Sequence, residues 1–220
     1  VGSEMCIRDR PRIITEEFAS ALAGMEKICP HFHLSLQSGC DETLKRMNRH
    51  YTCEEYLERC QILRDCFSNP AITTDVIVGF PGETEEEFEQ TQEFLKTVHF
   101  YEMHVFKYSR RAGTRADRMP DQIPEPVKTK RSAALLKLEA EMSKEYRASF
   151  LGKQAELLLE EPAVIGGQTY MIGHTKEYVK GAVPIKEGEA AGLKNTFYTG
   201  TLKNFLTDEI IFLAESKKLG

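Results

Sequence analysis

The feature that most constrains the fold is a strand, tight loop and helix pattern over residues 74–88. Residues 76–78 form a continuous apolar run, which is typical of a strand covered on both faces. Pro81-Gly82 then marks a turn, and Thr84 and Glu87 have the spacing of a helix capping box. In α/β barrels this order puts the loop at the carboxyl end of a parallel strand, where such folds carry their chemistry.

The first 150 residues continue this alternation of strands and helices. Apolar runs predict strands at residues 31–36, 72–80 and 104–108, and helical periodicity predicts helices at residues 14–28, 41–47, 52–67, 85–98 and 125–150. Thr15, Asp41 and Thr52 are expected to cap three of these helices. Alternating elements predict βαβ units and a parallel sheet. Only three strands are expected, whereas a closed eight-stranded barrel needs roughly 250 residues, so residues 11–150 predict a truncated α/β barrel.

The composition changes after Gly152. Glycine and proline residues separate five short β-rich stretches, at residues 154–159, 169–172, 178–183, 196–202 and 209–213. Five short strands in this length predict a small all-β barrel of the OB type over residues 151–220. The predicted organisation is therefore an α/β part followed by an all-β domain.

The first ten residues do not lead into this pattern. They lack periodicity, and we interpret residues 1–10 as artefact sequence, such as a translated adapter, and exclude them from fold reasoning.

Bulk properties exclude several classes of protein. The net charge of −5 differs from that of the basic domains that usually bind nucleic acids, although local basic loops can still contact RNA. The sequence contains no run of about 18 apolar residues, so no membrane span is predicted. All six cysteines lie in the first third of the chain, which favours reduced thiols over a secreted disulfide scaffold. We therefore expect a cytoplasmic protein.

Several motifs resemble the radical S-adenosylmethionine (SAM) methylthiotransferases. The segments at residues 31–40, 45–52, 74–88 and 104–116 occur in the order of that family and cover most of residues 11–150. The sequences of residues 33–39 and 104–109 are most similar to those of the branch that modifies threonylcarbamoyladenosine in tRNA. Sister branches, which modify isopentenyladenosine in tRNA or an aspartate of a ribosomal protein, share the wording of residues 79–84.

The resemblance implies a fold and a function. The fold is the C-terminal part of a radical SAM partial barrel, followed by a TRAM domain that holds RNA. The reaction is methylthiolation of carbon 2 of N6-threonylcarbamoyladenosine in tRNA, with SAM and two 4Fe–4S clusters as cofactors. The implied partners are tRNA and an electron donor protein, with no membrane and no DNA.

Iron–sulfur clusters need thiolate ligands, which the family supplies from a Cys-x-x-x-Cys-x-x-Cys motif. This chain has no such spacing, so we predict no metal ligand and no catalytic residue in it. The cluster-binding half is expected to be missing, and the chain alone is expected to be inactive. We interpret its cysteines as buried or incidental thiols.

The resemblance also implies cofactor contacts in the loops that follow two strands. The predicted SAM-contacting residues are Gln37, Ser38, Gly79, Pro81, Gly82 and Glu83. Two alternatives stay open. In the first, Gln37 and Ser38 form a polar loop that bonds its own backbone, and in the second, Glu83 is a solvated acid at a helix start. Asp75, inside a strand, is expected to be a structural anchor or a residue at the edge of the site.

Two basic clusters are candidates for contact with RNA phosphates. The predicted RNA-binding residues are Lys45, Arg46, Arg49, Arg110, Arg111 and Arg115. The alternative for both clusters is a solvated surface. His33 and His104 alternate within strands and are expected to be core or pocket histidines without a metal.

Three other functions remain open at this stage. The chain could be a non-catalytic RNA-binding remnant that kept the β module and the basic loops. It could be a small α/β enzyme with a phosphate ligand at residues 79–83, although that loop matches neither the P-loop nor the dinucleotide glycine pattern. It could also belong to a sister branch with a different substrate.

Overall fold

The computed structural model describes residues 3–7, 11–186 and 188–215. Its contacts divide the chain into two compact units, Val1–Ser143 and Lys144–Gly220. None of the described helices has the length and hydrophobicity that a membrane crossing requires.

The first unit is built on a four-stranded parallel sheet in the order β1-β2-β3-β4. Its strands are β1 Ser3–Ile7, β2 Ile28–Leu34, β3 Ala71–Val78 and β4 Glu102–Lys107. The expectation of three strands was wrong, because β1 also pairs with β2. An edge strand pairs through its backbone, which needs no side-chain periodicity. The interpretation of residues 1–10 as artefact sequence stays a prediction.

Five α-helices accompany this sheet. They are α1 Glu16–Ala23, α2 Asp41–Arg46, α3 Cys53–Cys66, α4 Glu85–Val98 and α5 Glu125–Ala148. The predicted cap at Thr15 and the capping boxes at Thr52 and Thr84 are confirmed. Asp41 is not a cap: it is the first residue of α2, and its Oδ1 accepts a hydrogen bond from the Cys53 N–H at 2.7 Å. The aspartate therefore joins the start of α2 to the start of α3.

The helices bury the faces that their periodicity predicts. Tyr56, Cys60 and Leu63 of α3 are fully buried in the core. On α5 the buried apolar residues are Leu135, Leu138, Met142 and Tyr146. Leu135, Leu138 and Met142 share one hydrophobic core with these α3 residues and with buried residues of β2, β3 and β4.

The second unit is a closed five-stranded barrel in the order β5-β6-β7-β9-β8. Its elements are β5 Gln154–Ile165, β6 Gln168–His174, β7 Lys180–Pro184, α6 Ala190–Leu193, β8 Phe197–Phe205 and β9 Ile211–Glu215. The prediction of a small five-stranded β barrel is confirmed. Each observed strand overlaps one of the predicted β-rich stretches.

Candidate functional site

A cavity of about 650 Å³ lies where β2, β3 and β4 end, and we name it the strand-end cavity. The elements around it contribute a mixture of polar, cationic and apolar side chains. Its lining includes Ser35, Gln37, Met47, Arg49, Asp75, Ile77, Phe80, Phe106, Lys107, Tyr108 and Arg111. The carboxyl edge of a parallel sheet is where α/β proteins bind ligands, and the volume is suitable for a small molecule.

The loop after β2 gives Gln37 to this cavity. Gln37 has a φ of 74° and bonds to β3 on both sides: its N–H donates to Asp75 O at 2.8 Å, and its carbonyl accepts from Ile77 N–H at 2.9 Å. Ser38 lies outside the cavity lining. Its Oγ lies 3.3 Å from Thr91 Oγ1 and accepts from the Cys40 N–H at 3.3 Å. The two neighbours therefore have different surroundings, and those of Ser38 match the alternative of a polar loop.

Asp75 of β3 contacts side chains from both neighbouring strands and from Ser35, the residue that follows β2. Ser35 Oγ donates to its Oδ2 at 2.8 Å, His33 Nε2 lies 3.3 Å from Oδ2, and His104 Nδ1 lies 3.3 Å from Oδ1. Burial opposes ionisation of Asp75, but the hydrogen bond from Ser35 and the charge of His33 hold the pKa of this carboxyl below its usual range. The aspartate is thus both a structural anchor and a lining residue of the cavity.

His33, Asp75 and His104 offer ligand atoms that all lie within 4.8 Å of one another, so they could hold a metal ion. The sequence predicted pocket histidines but no such group. Its spacing could not indicate one, because each residue comes from a different strand and the sheet register brings them together.

Apolar side chains form the other walls of the strand-end cavity. Phe80 and Tyr108 meet edge to face, with ring centroids 5.3 Å apart. Phe106 is 52% exposed, although it is a large apolar residue, and Ile77 lies opposite it in the sheet register. Flat apolar walls beside hydrogen-bonding groups suit a planar heterocycle such as a nucleobase.

The Gly79–Glu83 loop contributes only Phe80 to the described lining of this cavity. Glu83 is 3% exposed, and its Oε2 accepts hydrogen bonds from the Gly79 N–H and from Arg131, each at 2.7 Å. Burial raises the pKa of the Glu83 carboxyl, although both donors act in the opposite direction. The alternative of a solvated acid is therefore wrong. Cofactor contact by Gly79, Pro81, Gly82 and Glu83 stays a prediction.

The first basic cluster divides between two roles. Arg49 lines the strand-end cavity, and with Lys45 it also lines a recess of about 250 Å³ beside it. Arg46 instead forms an ion pair with Glu87, with Nη1 2.8 Å from Oε1. The hydrogen bond from Arg46 holds the pKa of the Glu87 carboxyl below its usual range. RNA contact by these residues stays a prediction.

The second basic cluster also divides. Arg111 lines the strand-end cavity. Arg110 donates to Oδ1 and to the carbonyl of Asp117, at 2.9 and 2.8 Å. Arg115 is exposed and lies outside the cavity lining. The structure thus brings Gln37, Arg49 and Arg111 of the predicted site residues to one place.

The five cysteines whose side chains the structure describes do not provide a site for an iron–sulfur cluster. Cys29, Cys40, Cys53, Cys60 and Cys66 form no disulfide, and none belongs to a potential metal-binding group among the described residues. Burial raises the pKa of the Cys60 thiol to about 12, and burial also raises that of Cys53. Cluster ligands must be thiolates, which these environments disfavour.

Sequence reasoning missed two cations on α5 that hold the Gly79–Glu83 loop. Lys128 donates to Tyr108 O at 3.0 Å, and Arg131 is the partner of Glu83. A signal for Arg131 was present, because it stands four residues before Leu135 and so lies on the buried face of α5. A cation on a buried face indicates a paired acid elsewhere in the fold.

The sequence pattern of the Radical SAM superfamily matches residues 2–95. The chain is 43% identical over 154 residues to tRNA-2-methylthio-N(6)-dimethylallyladenosine synthase of Caldicellulosiruptor saccharolyticus, covering 70% of this chain and 33% of that protein. It is also 43% identical over 168 residues to threonylcarbamoyladenosine tRNA methylthiotransferase of Bacillus subtilis, covering 76% of this chain and 37% of that protein.

A solved structure shares the fold. Coproporphyrinogen III oxidase from Escherichia coli, a radical SAM enzyme, matches with a TM-score of 0.53 and 20% identity, over 66% of this chain and 33% of that one. The chain spans about one third of the length of the curated relatives named above. These similarities support the interpretation of this chain as a radical SAM methylthiotransferase fragment.

Proposed function

We propose that this chain forms part of a radical SAM enzyme that methylthiolates carbon 2 of N6-threonylcarbamoyladenosine in tRNA. The observation that carries the proposal is the strand-end cavity. Its lining residues come from the four segments whose sequences resemble those of the family. The cavity lies at the edge of the sheet where α/β folds bind ligands.

In this proposal the strand-end cavity binds the nucleoside part of SAM. Phe80, Phe106 and Tyr108 provide apolar contact with the adenine, and Gln37 is placed to hydrogen-bond polar groups of the nucleoside. When bound, SAM supplies the radical that activates the target carbon and the methyl group that is transferred.

The cysteines whose side chains the structure describes do not fit the 4Fe–4S clusters that the family implies. We place their ligands outside this chain, in the part of the relatives that it does not cover. Without these ligands, this chain alone is inactive. An electron donor protein, which the family resemblance implies, reduces the cluster in the whole enzyme.

Charge in and beside the cavity supports threonylcarbamoyladenosine as the substrate. The threonylcarbamoyl group carries a carboxylate, whereas a dimethylallyl group is apolar. Arg49 and Arg111 line the cavity, and the exposed His104 lies on the same sheet face. Cationic and hydrogen-bonding side chains favour the anionic substituent.

Dimethylallyladenosine in tRNA is the second candidate substrate. Several relatives with this activity in their names match well, including one from Thermoanaerobacter sp. that is 45% identical over 150 residues. Identity to both kinds of relative is similar, so a direct test is needed to separate the two substrates.

We propose that the β barrel of the second unit is a TRAM domain that holds tRNA. Its five strands close into a small barrel, an architecture that commonly binds oligonucleotides. The proposal makes tRNA the macromolecular partner and the cytoplasm the place of reaction. The basic residues of the first unit that lie outside the cavity, such as Lys45 and Arg115, would contact tRNA phosphates.

A chimera tests this function. The corresponding segment of the Bacillus subtilis relative is replaced by residues 11–150 of this chain, which leaves the β barrel undivided, and the chimera is expressed in a strain that lacks the endogenous enzyme. Mass spectrometry of tRNA nucleosides is expected to detect methylthiolated threonylcarbamoyladenosine. An abundant chimera without any methylthiolated nucleoside would contradict the proposal and favour the RNA-binding remnant. Methylthiolated dimethylallyladenosine would instead support the second candidate.

A further inference from the structure

We infer that Lys128 and Arg131 of α5 are positioning residues for the aromatic walls of the strand-end cavity, and so for the nucleoside ligand. This inference rests on the proposed function in one respect, namely that the cavity binds the nucleoside part of SAM. Neither cation lines the cavity. Both act on backbone that carries a lining residue.

Lys128 holds two chain segments at once. Its stem covers Gly79, where a Cβ atom would lie only 2.1 Å from Lys128 Cγ. Its Nζ donates to the carbonyl of Tyr108 at 3.0 Å, just beyond the end of β4. The side chain is 12% exposed and also pairs with Glu125 at 3.1 Å. One lysine therefore joins the loop after β3 to the end of β4.

Arg131 holds the other end of the same loop. Its Nη1 donates to the carbonyl of Glu83 at 3.1 Å and to its carboxylate at 2.7 Å, while Nη2 donates to Glu85 at 2.9 Å. The guanidinium also lies 5.2 Å from the ring centroid of Phe88. The Arg131 side chain is 5% exposed, and both of its terminal nitrogens are bonded, whereas its buried Nε has no hydrogen-bond partner.

These contacts reach the cavity through Phe80 and Tyr108. The Glu83 N–H donates to Phe80 O at 3.0 Å, so the anchored glutamate sets the turn that carries Phe80. Tyr108 is the residue whose carbonyl Lys128 binds, and its ring contacts Phe80. Helix α5 thus holds the backbone of Tyr108 through Lys128, and that of Phe80 through Arg131 and Glu83. Glu83 affects ligand binding by setting the conformation of this loop.

The test compares Lys128→Met with Lys130→Met in the whole 220-residue chain. Methionine keeps the stem over Gly79 and removes the bond to Tyr108 O. Lys130 is on the same helix with an 82% exposed side chain, and it is the matched control. The probe is S-adenosylhomocysteine, titrated by isothermal calorimetry well below the melting temperature. At such temperatures the variant chain is almost fully folded even if the substitution lowers its stability. If Lys128 only stabilises the fold, the measured affinity therefore does not change.

We expect Lys128→Met to raise the dissociation constant about tenfold, the size of one lost hydrogen-bond restraint, with Lys130→Met unchanged. Amide shifts of Phe80 and Tyr108 in the ligand-free ¹⁵N spectrum should move in Lys128→Met only. Affinity within about twofold of the parent chain would overturn the inference.

Absence of S-adenosylhomocysteine binding by the parent chain would also overturn the inference. This failure is separate from failure of the proposed function. An active chimera with a Lys128→Met variant that binds normally removes only the positioning role. An inactive chimera with ligand binding that depends on Lys128 removes only the methylthiotransferase proposal.

Discussion

The loop after β2 and the loop after β3 lie at the same edge of the sheet, yet they serve it differently. The first contributes Ser35 and Gln37 to the lining of the strand-end cavity. The second gives only Phe80 and turns Glu83 away, towards Arg131 of α5. The first loop can contact a ligand directly, whereas the second sets the shape of a wall.

This difference changes how the glycines of the second loop are understood. A glycine near a ligand is commonly explained by close approach of the ligand to the backbone. At Gly79 the close neighbour is Lys128, and φ is +74°, a region that side chains disfavour. The glycine is required by the packing of α5, whatever the cavity binds.

The largest effect should come from breaking the anchor of the second loop. Arg131→Met leaves the Glu83 carboxylate buried without its charged partner. Breaking a buried ion pair in this way costs about 3–5 kcal/mol of unfolding free energy. Urea unfolding followed by circular dichroism measures it, with Lys130→Met as the exposed control on the same helix. A loss no larger than that of the control would mean that Arg131 is not an anchor.

Gly79→Ala should follow. It adds the left-handed backbone cost to a clash with Lys128, and together these should lower the unfolding free energy by roughly 2–4 kcal/mol. Gly166→Ala is a matched control, because its φ is +58° with no atom within 4 Å of the new Cβ. Thermal unfolding of both variants separates the terms. Equal losses would show that packing against Lys128 contributes nothing.

The two carboxylates that flank the start of α4 should respond to pH with opposite sign. The pKa of Glu87 is lowered by Arg46, so its stabilising contribution is present above the ordinary carboxyl pKa and is lost as pH falls through the lowered value. The pKa of Glu83 is raised by burial, so its ionisation reduces stability as pH rises through the raised value.

Unfolding free energies measured from about pH 6 to about pH 3 check these signs. The difference between the parent chain and Glu87→Gln should shrink as pH falls, and the difference for Glu83→Gln should grow. Two differences that move in the same direction would contradict the assigned environments.

The smallest effect on stability should come from the first loop. Gln37→Ala keeps the backbone bonds to β3, so the unfolding free energy should change by less than about 1 kcal/mol. Affinity for S-adenosylhomocysteine should nevertheless fall about fivefold, because Gln37 lines the cavity. Ser38→Ala, in the same loop but outside the lining, is the control. Equal loss of affinity in both variants would remove the distinction between these neighbours.

Local sequence signals predicted much of the fold. The capping boxes at Thr52 and Thr84 fixed two helix starts, and the spacing of Leu135, Leu138 and Met142 identified the buried face of α5. These features depend on residues a few positions apart. Strand β1 escaped prediction because an edge strand can pair through its backbone with no alternating pattern.

The site was predicted only in part, since its contacts join residues far apart in the chain. Gln37, Arg49 and Arg111 line one cavity, although the sequence assigned Gln37 to cofactor contact and the two arginines to RNA contact. The same motifs gave no sign that Arg46 pairs with Glu87, or that Arg131 pairs with Glu83. Partners separated by more than forty residues follow from packing of whole elements, which residue spacing alone does not specify.

The most direct test of the central claim, that the strand-end cavity is a nucleoside site, is a titration of the ¹⁵N-labelled chain with S-adenosylhomocysteine. We predict saturable amide shifts concentrated at Gln37, Ile77, Phe80, Tyr108 and Arg111. The β barrel of the second unit should be unaffected. Shifts that do not saturate, or that occur mainly in the β barrel, would contradict the assignment of this cavity.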